Sequence, residues 1–297
     1  MPAKRPINKN KQPILQKSKP QVKAIKPESN SKKLYWLLAV VVLTLIAFSP
    51  AFQNEFTNWD DEGYIINNLL LRGLSPEHLK NIFSTFVEGN YHPLTVLTNA
   101  IEYHFVEFSP KLYHVNNVII HILNSLLVFS FIRLLTGKVE IAGITAILFG
   151  IHPMHVESVA WVSERKDVLY SFFFLSSLIF YMKYSAGLKT TRNYIISLIL
   201  FLLSLLSKGQ AVTLPLIFLL VDFYRNRTWN KKIILEKIPF FILSIGFGIL
   251  AIIAQKSSEA IQDNKLFTFF ERILFASYGM LVYIIKAIIP YKLSTFY

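Results

Sequence analysis

The chain has 297 residues, of which 53% are hydrophobic and only 16% are charged. Uncharged apolar runs recur along most of its length, which excludes a soluble globular domain and indicates a polytopic membrane protein. The formal net charge is +13, but residues 1–33 hold ten Lys or Arg against one Glu, so the remainder is only slightly basic. The absence of cysteine excludes thiol catalysis and disulfides.

Residues 1–33 form a basic tail rich in Lys, Pro, Gln, Asn and Ser. Such a composition buries too little apolar surface to fold, so we expect a disordered cytoplasmic tail. Its expected partner is the anionic lipid of the cytoplasmic leaflet, and no nucleic acid. A signal peptide is the alternative, with small residues at 49–51 for cleavage. The apolar run that follows is long for a signal peptide and further spans come after it, so an uncleaved anchor is favoured.

Eight apolar segments are candidate membrane spans, which predicts an all-α integral membrane protein, a polytopic helical bundle of about 7–8 spans. The links at 134–138, 185–192 and 225–232 together hold seven Lys or Arg, so the positive-inside rule places them and the N-terminus in the cytoplasm. The last segment could cross back to the cytoplasm or lie on the outer surface. The segments are 34–54, 113–133, 139–153, 168–184, 193–207, 211–224, 233–254 and 266–290.

The first predicted outer loop, residues 55–112, has the opposite charge, with eight acids against three bases. Ser75 and Pro76 predict the start of a short helix, with Ser75 as its N-cap. A second helix is predicted after Pro93. Because each has one apolar stripe, we expect two short amphipathic helices along the outer membrane surface.

An acidic cluster, Asp60, Asp61 and Glu62, follows the first apolar segment. Neighbouring carboxylates beside a membrane repel one another and lose hydration, so at least one can act as a base or a metal ligand. Adjacent side chains diverge, so Asp60 and Asp61 should have different tasks. We predict Asp60 as the base, and Asp61 or Glu62 as an orienting group or metal ligand. A solvated acidic loop is the alternative.

Histidines and one carboxylate form a second group at the predicted outer end of the third span. His152, His155 and Glu157 have the ligand chemistry of a zinc site, but Pro153 interrupts their helical spacing, so no metal ligand is assigned. They are predicted to line a polar pocket, together with His92 of the first outer loop. The acidic cluster could also bind a divalent metal, and the residues indicate no other cofactor.

Three cations on the same predicted side could bind a phosphate. Arg165 offers a forked donor, and Lys166 offers a point charge. Lys208, between the fifth and sixth spans, could pair with a lipid phosphate near the headgroups. The alternatives are snorkelling side chains of an interfacial turn and an ordinary helix-end cation.

Acids and cations on one side of the membrane suit one reaction in particular. An acceptor hydroxyl attacks a sugar whose leaving group is a lipid phosphate, a carboxylate takes the hydroxyl proton, and cations stabilise the departing phosphate. The asymmetry of the polar residues therefore predicts an active site that faces away from the cytoplasm.

Five short segments carry the polar residues of this predicted site: NWDDEGYI at 58–65, YHPLT at 91–95, HPMHVESVAW at 152–161, ERKDVL at 164–169 and SKGQAVTLP at 207–215. Together they resemble the membrane half of the transmembrane and tetratricopeptide-repeat O-mannosyltransferases and their bacterial relatives, within the glycosyltransferase C superfamily. The resemblance runs from about residue 34 to residue 297, and the histidine-rich and Arg-Lys-Asp blocks are its most specific parts.

The resemblance implies a multi-span helical domain over 34–297, with 55–112 as its catalytic outer loop. It further implies that Asp60 and Asp61 are the catalytic acids, with a polyprenyl- or dolichyl-phosphate mannose donor and inversion at the anomeric carbon. Arg165, Lys166 and Lys208 match positions where contact with phosphate is plausible. Two departures stand out: the family continues into more spans and a repeat domain, and Gly209 stands where a larger residue is expected.

The sequence thus predicts an inverting glycosyltransferase of the inner (plasma) membrane, with its active site periplasmic or extracellular. It would transfer a sugar, with mannose implied by the resemblance, from a polyprenyl-phosphate-linked donor to a hydroxyl on a protein or glycan. A transporter of lipid carriers or small solutes is the alternative from another class. A non-catalytic, truncated assembly subunit is the third.

Overall fold

The computed structural model describes residues 30–188, 190–259 and 267–294, and these form an all-α bundle. Residues 1–29 of the predicted tail 1–33, and Lys189 of the second basic link, lie outside the described residues. The first helix begins at Asn30, four residues before the predicted boundary. The α-helices are α1 Asn30–Phe48, α2 Pro76–Ser84, α3 Pro93–Val106, α4 Pro110–Thr136, α5 Val139–Gly150, α6 Val156–Ala160, α7 Arg165–Ser185, α8 Thr190–Ser207, α9 Leu214–Tyr224, α10 Lys231–Leu235, α11 Ile238–Ser257 and α12 Phe269–Ile288.

Four helical segments of the described chain are long and apolar enough to cross a membrane: Asn30–Gln53, Pro110–Thr136, Val162–Ser185 and Lys231–Ser257. The pair Val139–Gly150 and Pro153–Ala160, bent by 51°, makes a fifth if it is one span. The predicted all-α integral membrane bundle is confirmed. Shorter apolar helices overlap the predicted fifth and sixth spans, and the total of seven or eight stays a prediction.

Small and polar side chains let the central helices approach closely. The hydroxyls of Ser177 on α7 and Ser197 on α8 each donate to the other's backbone carbonyl, at 2.7 and 2.9 Å. On α4, the amide of Asn124 donates to the carbonyl of Val168 at 2.8 Å. Gly143 of α5 packs directly against the ring of Trp36, where a methyl group would collide. Within lipid, such interhelical hydrogen bonds and small residues replace the hydrophobic effect as the main cause of helix association.

The first outer loop folds onto the bundle as a small unit of its own. The hydroxyl of Ser75 accepts from the backbone N–H of His78 at 3.3 Å, which confirms the N-cap of α2. The second predicted helix is α3, beginning at Pro93. Their buried sides form one apolar cluster with the loop and α4, and the members that α2 and α3 contribute are Ile82, Val96 and Ala100.

One end of the bundle carries the loops at 54–92, 151–164 and 208–213, and we call it the site face. The opposite end carries a buried ion network. There, Oδ2 of Asp222 accepts from Tyr181 Oη and from Lys237 Nζ, both at 2.6 Å, while Arg227 pairs with Glu236. Each buried charge at that end therefore has an opposite charge beside it, as burial in a membrane protein requires.

Candidate active site

Most members of the three predicted polar groups lie at the site face, because loops that are distant in the sequence bond to one another there. The hydroxyl of Thr95 donates to the carbonyl of Ser207 at 2.9 Å, which joins the start of α3 to the end of α8. The side-chain amide of Gln255, on α11, donates to the carbonyl of Gly89 at 3.0 Å. The first outer loop is thereby held over the ends of α7, α8 and α11.

The two neighbouring aspartates have different surroundings. Asp61 is fully buried, and its Oδ2 accepts from the backbone N–H of Thr57 at 2.9 Å and from the Thr57 hydroxyl at 3.1 Å. Its Oδ1 accepts from the backbone N–H of Ser163 at 2.9 Å, across 102 residues of sequence. Asp60 is half-buried and accepts no hydrogen bond from the described part of the chain. Asp61 therefore joins two loops, while the carboxylate of Asp60 stays available.

Tyr64 connects the acidic segment to the cations. The Nζ of Lys166 lies 4.3 Å from the centroid of the Tyr64 ring, and the Tyr64 hydroxyl accepts from the amide of Asn90 at 3.1 Å. Asp60 lies within electrostatic range of the same hydroxyl. Burial raises the pKa of Tyr64, so its phenol is neutral at physiological pH. The exposed Glu62 begins the helical turn Glu62–Ile66 that positions Tyr64.

Lys166 and Lys208 lie together in an ion network. Glu164 bridges them, with its Oε1 2.7 Å from Lys166 Nζ and its Oε2 3.3 Å from Lys208 Nζ. Lys208 also pairs with Asp167, whose other oxygen accepts from the hydroxyl of Ser158 at 2.9 Å. Burial alone would lower the pKa of Lys208, but Asp167 and Glu164 raise it above its ordinary value. Both lysines are thus paired with acids that an incoming anion would have to displace or share.

Both lysines also line a small cavity of about 60 Å³, which we call the anion cavity. His92 lies on its wall with only 3% of its surface exposed, and its Nε2 has no hydrogen-bond partner among the described residues. Burial, together with Lys166 and Lys208, lowers the pKa of His92 to about 3. The imidazole is therefore neutral, and its ring nitrogen is available to a ligand. Asn90, Gly209 and Gln255 are further members of the wall.

The structure does not bring Arg165 together with the two lysines. Its side chain is buried on the other side of the α7 start, where its guanidinium pairs with the buried Glu102. Its Nε donates to the amide oxygen of Asn117 at 2.8 Å, and a terminal nitrogen donates to the carbonyl of Tyr113 at 3.0 Å. Arg165 ties α3, α4 and α7 together, and a phosphate at its guanidinium would compete with those partners. Its contact with phosphate stays a prediction.

The predicted histidine group lies at the edge of the site face. The imidazole of His155 contacts the carbonyl of Phe149 at 2.9 Å, and that of His152 contacts the carbonyl of Ala287 at 3.0 Å. The second contact places the end of α12 at the site face. Glu157 is exposed and lines a separate cavity of about 400 Å³. Within the ranges that the structure describes, no three His, Asp or Glu side chains converge so that they could hold a metal ion.

Comparison with curated proteins connects this geometry to a family. The chain is 28% identical over 235 residues to protein O-mannosyl-transferase F38B6.6 of Caenorhabditis elegans, covering 75% of this chain and 32% of that protein. It is 29% identical over 212 residues to protein O-mannosyl-transferase TMTC4 of Mus musculus, covering 60% and 28%. It is 34% identical over 135 residues to TMTC3 of the same species, covering 42% and 14%. The chain is a homologue of the TMTC protein O-mannosyl-transferases.

The predicted resemblance to the O-mannosyltransferase family is thus confirmed, and it concerns a part of these proteins. The chain matches about a third or less of the length of these curated relatives. No family model matches the chain, and no solved structure matches it significantly.

Three residues of this TMTC homologue that contact the predicted site were not assigned to it from the sequence. Tyr64 lies inside the NWDDEGYI block, so its position in that block was an available signal. Glu164 begins the ERKDVL block, and the alternation of acids and bases there is typical of an ion network. Gln255 lies at the end of an ordinary apolar helix, and nothing in its local pattern distinguishes it.

Proposed function

We propose that this chain is a membrane glycosyltransferase domain. It transfers a mannosyl unit from a polyprenyl-phosphate donor to a hydroxyl group of a protein or glycan, with inversion at the anomeric carbon. Its site face is turned away from the cytoplasm, and in a bacterial cell it lies on the periplasmic or extracellular side of the inner (plasma) membrane. The names of the relatives support mannose as the sugar and a protein as the acceptor.

The observation that carries the proposal is the contrast between Asp60 and Asp61. Every oxygen of Asp61 is bonded to the protein, so this carboxylate holds the loop in place. Asp60 is kept half-buried at the edge of the same loop without such bonds, which leaves a carboxylate free to accept a proton. A general base needs this combination of fixed position and unused lone pairs.

The anion cavity supports the donor side of the proposal. Lys166 and Lys208 lie on its wall, and the unpartnered nitrogen of His92 adds a polar group at the same place. These groups would contact the phosphate of the lipid donor and stabilise the charge that develops on it as the sugar leaves. Glu164 and Asp167 already pair with the lysines, so a bound phosphate competes with these carboxylates for the two ammonium groups. The phosphate binds most tightly if the carboxylates move to other hydrogen-bond donors. Ser158 already provides such a donor for Asp167.

The proposed reaction is a single displacement that needs only the donor, the acceptor and Asp60 for its bonds and its proton. The acceptor hydroxyl oxygen forms a bond to the anomeric carbon as the bond from that carbon to the phosphate oxygen breaks. The hydroxyl proton passes to the carboxylate of Asp60, and the electron pair of the broken bond leaves on the polyprenyl phosphate. Attack from the face opposite the phosphate inverts the anomeric configuration, which a single displacement requires.

The test uses the full chain, reconstituted in lipid with polyprenyl-phosphate mannose and a peptide rich in Ser and Thr. Asp60→Asn should abolish mannose transfer while donor binding stays within about twofold of wild type, because the amide keeps the shape and loses the base. Glu77→Gln is the matched control, since it removes an exposed acid of the same outer loop outside the predicted site and should keep most of the transfer. Full transfer by Asp60→Asn would overturn the proposal, and so would donor flux across vesicles without any acceptor.

A further inference from the structure

A second cavity opens beside the predicted active site and is separate from the anion cavity. Its volume of about 400 Å³ lies within the usual range for small-molecule sites, about 300–1,000 Å³. Its wall combines the first outer loop, the bent segment at 153–161 and the end of the described chain. The side chains that the argument uses are Thr57, Glu157 and Trp161. We call this the side cavity.

Trp161 gives the side cavity an aromatic wall that the fold holds in place. Its backbone carbonyl accepts from the amide of Asn117 at 3.2 Å, and its ring packs against that of Trp59, with the centroids 5.5 Å apart. Its indole Nε1 is buried and has no hydrogen-bond partner in the described part of the chain. A buried indole N–H normally has a partner, so this one points to a missing acceptor.

Glu157 supplies a polar group to the same cavity. It is the only charged residue of the described cavity wall, and it accepts no hydrogen bond from the described residues. An ionised carboxylate is purely an acceptor, so it suits a ligand that presents hydroxyl groups. It repels a phosphate, which argues against this cavity as a second anion site.

The side cavity also borders the predicted base through the loop that carries it. Thr57 lines the cavity and donates twice to Asp61, the neighbour of Asp60 in the chain. Glu157 lies within electrostatic range of both Lys166 and Lys208. A ligand in the side cavity is thus close to the acid pair and to the cations of the anion cavity.

We propose that the side cavity binds the sugar ring of the donor, with one face of the pyranose against Trp161 and its hydroxyls bonded to Glu157. A hexopyranose has a face of C–H groups and a rim of hydroxyls, and this wall offers one surface for each. The proposal rests on the proposed function and names the residues that recognise the sugar, whereas the anion cavity recognises the phosphate.

The experiment compares two ligands of equal chain length, polyprenyl-phosphate mannose and bare polyprenyl phosphate, for binding to the full chain in lipid nanodiscs. The measured quantity is the ratio of their dissociation constants, which isolates the contribution of the sugar. Wild type should bind the mannose-linked lipid more tightly. Trp161→Ala and Glu157→Ala should each reduce that advantage about 3- to 10-fold, without changing the affinity for bare polyprenyl phosphate.

Lys208→Gln is the matched control, since it should weaken both ligands equally and leave the ratio unchanged. If Trp161→Ala is not monodisperse, Glu157→Ala carries the test, because it replaces an exposed side chain without partners in the described chain. An unchanged ratio in a folded variant overturns the sugar site. If a variant keeps the wild-type ratio of dissociation constants but has a raised KM for the acceptor peptide, the side cavity binds the acceptor. That result also overturns the sugar site. If wild type binds neither lipid, the proposed function itself has failed.

Discussion

Asp61 and Ser163 are joined by a hydrogen bond of 2.9 Å between a carboxylate oxygen and a backbone N–H, across 102 residues of sequence. Through this bond, the loop that carries the predicted base is attached to the turn just before α7, the helix that carries Lys166. The relative positions of base and cations therefore depend on a residue that need not take part in the chemistry.

Asp61→Asn should lower stability and activity together. The amide nitrogen would face N–H donors that the carboxylate now accepts from, so at least one buried donor would lose its partner. We expect a loss of about 1–3 kcal/mol in the free energy of unfolding in detergent. Asp60→Asn should unfold at the wild-type temperature, because Asp60 has no such bonds. Equal stability of the two variants would contradict this division of roles.

Arg165 should act through stability. Arg165→Gln leaves Glu102 buried without its cation, and breaking such a pair costs about 3–5 kcal/mol. The double variant Arg165→Gln with Glu102→Gln removes both charges and should recover a good part of that loss. The measurement is thermal unfolding of all three variants in the same detergent. If the single variant keeps wild-type stability and loses donor affinity, Arg165 binds phosphate as the sequence predicts.

The ion network at the opposite end of the bundle should tolerate loss of a pair better than loss of one partner. Lys237→Met removes the cation 2.6 Å from Asp222 and leaves this buried carboxylate with only Arg227, at 3.3 Å, as its cation. The variant should lose stability, by up to about 3–5 kcal/mol. Adding Asp222→Asn should restore part of the loss. Lys183→Met, which changes a lysine of α7 outside this network, is the control for the loss of a positive charge. Wild-type stability of Lys237→Met would show that the network contributes little.

His92 should make stability depend on pH in acid. Its pKa is lowered from 6.5 to about 3 in the folded protein, so the unfolded chain binds more protons between these values. The stability that comes from the neutral imidazole is fully present above pH 6.5 and falls as the pH drops from 6.5 toward 3. Groups that face the ring are Tyr64, Lys166, Lys208 and Glu164.

His92→Gln should therefore lose less stability than wild type between pH 6.5 and pH 4, measured as the melting temperature in detergent. His104→Gln removes an exposed imidazole and should keep the wild-type pH dependence. If the melting temperatures of wild type and His92→Gln fall equally with pH, His92 does not cause the pH dependence, because the remaining acids titrate in both proteins.

Much of the fold follows from the sequence alone. The apolar runs predict the helical bundle. The helix-start signals at Ser75, Pro76 and Pro93 predict the two helices of the first outer loop. The family resemblance likewise follows from short blocks of residues. These features are local: helical periodicity, caps and uncharged length depend on neighbours within one or two turns of helix.

Only the tertiary structure decides which polar side chains share a cavity. The sequence groups Arg165 with Lys166, yet adjacent residues on a helix diverge by about 100°, so one meets Glu102 and the other meets Tyr64. It likewise gives no reason to place Gln255 beside His92 or Trp59 beside Trp161. Partner choice in a membrane bundle depends on which distant helix is adjacent, and a buried charge takes the partner that packing brings within reach.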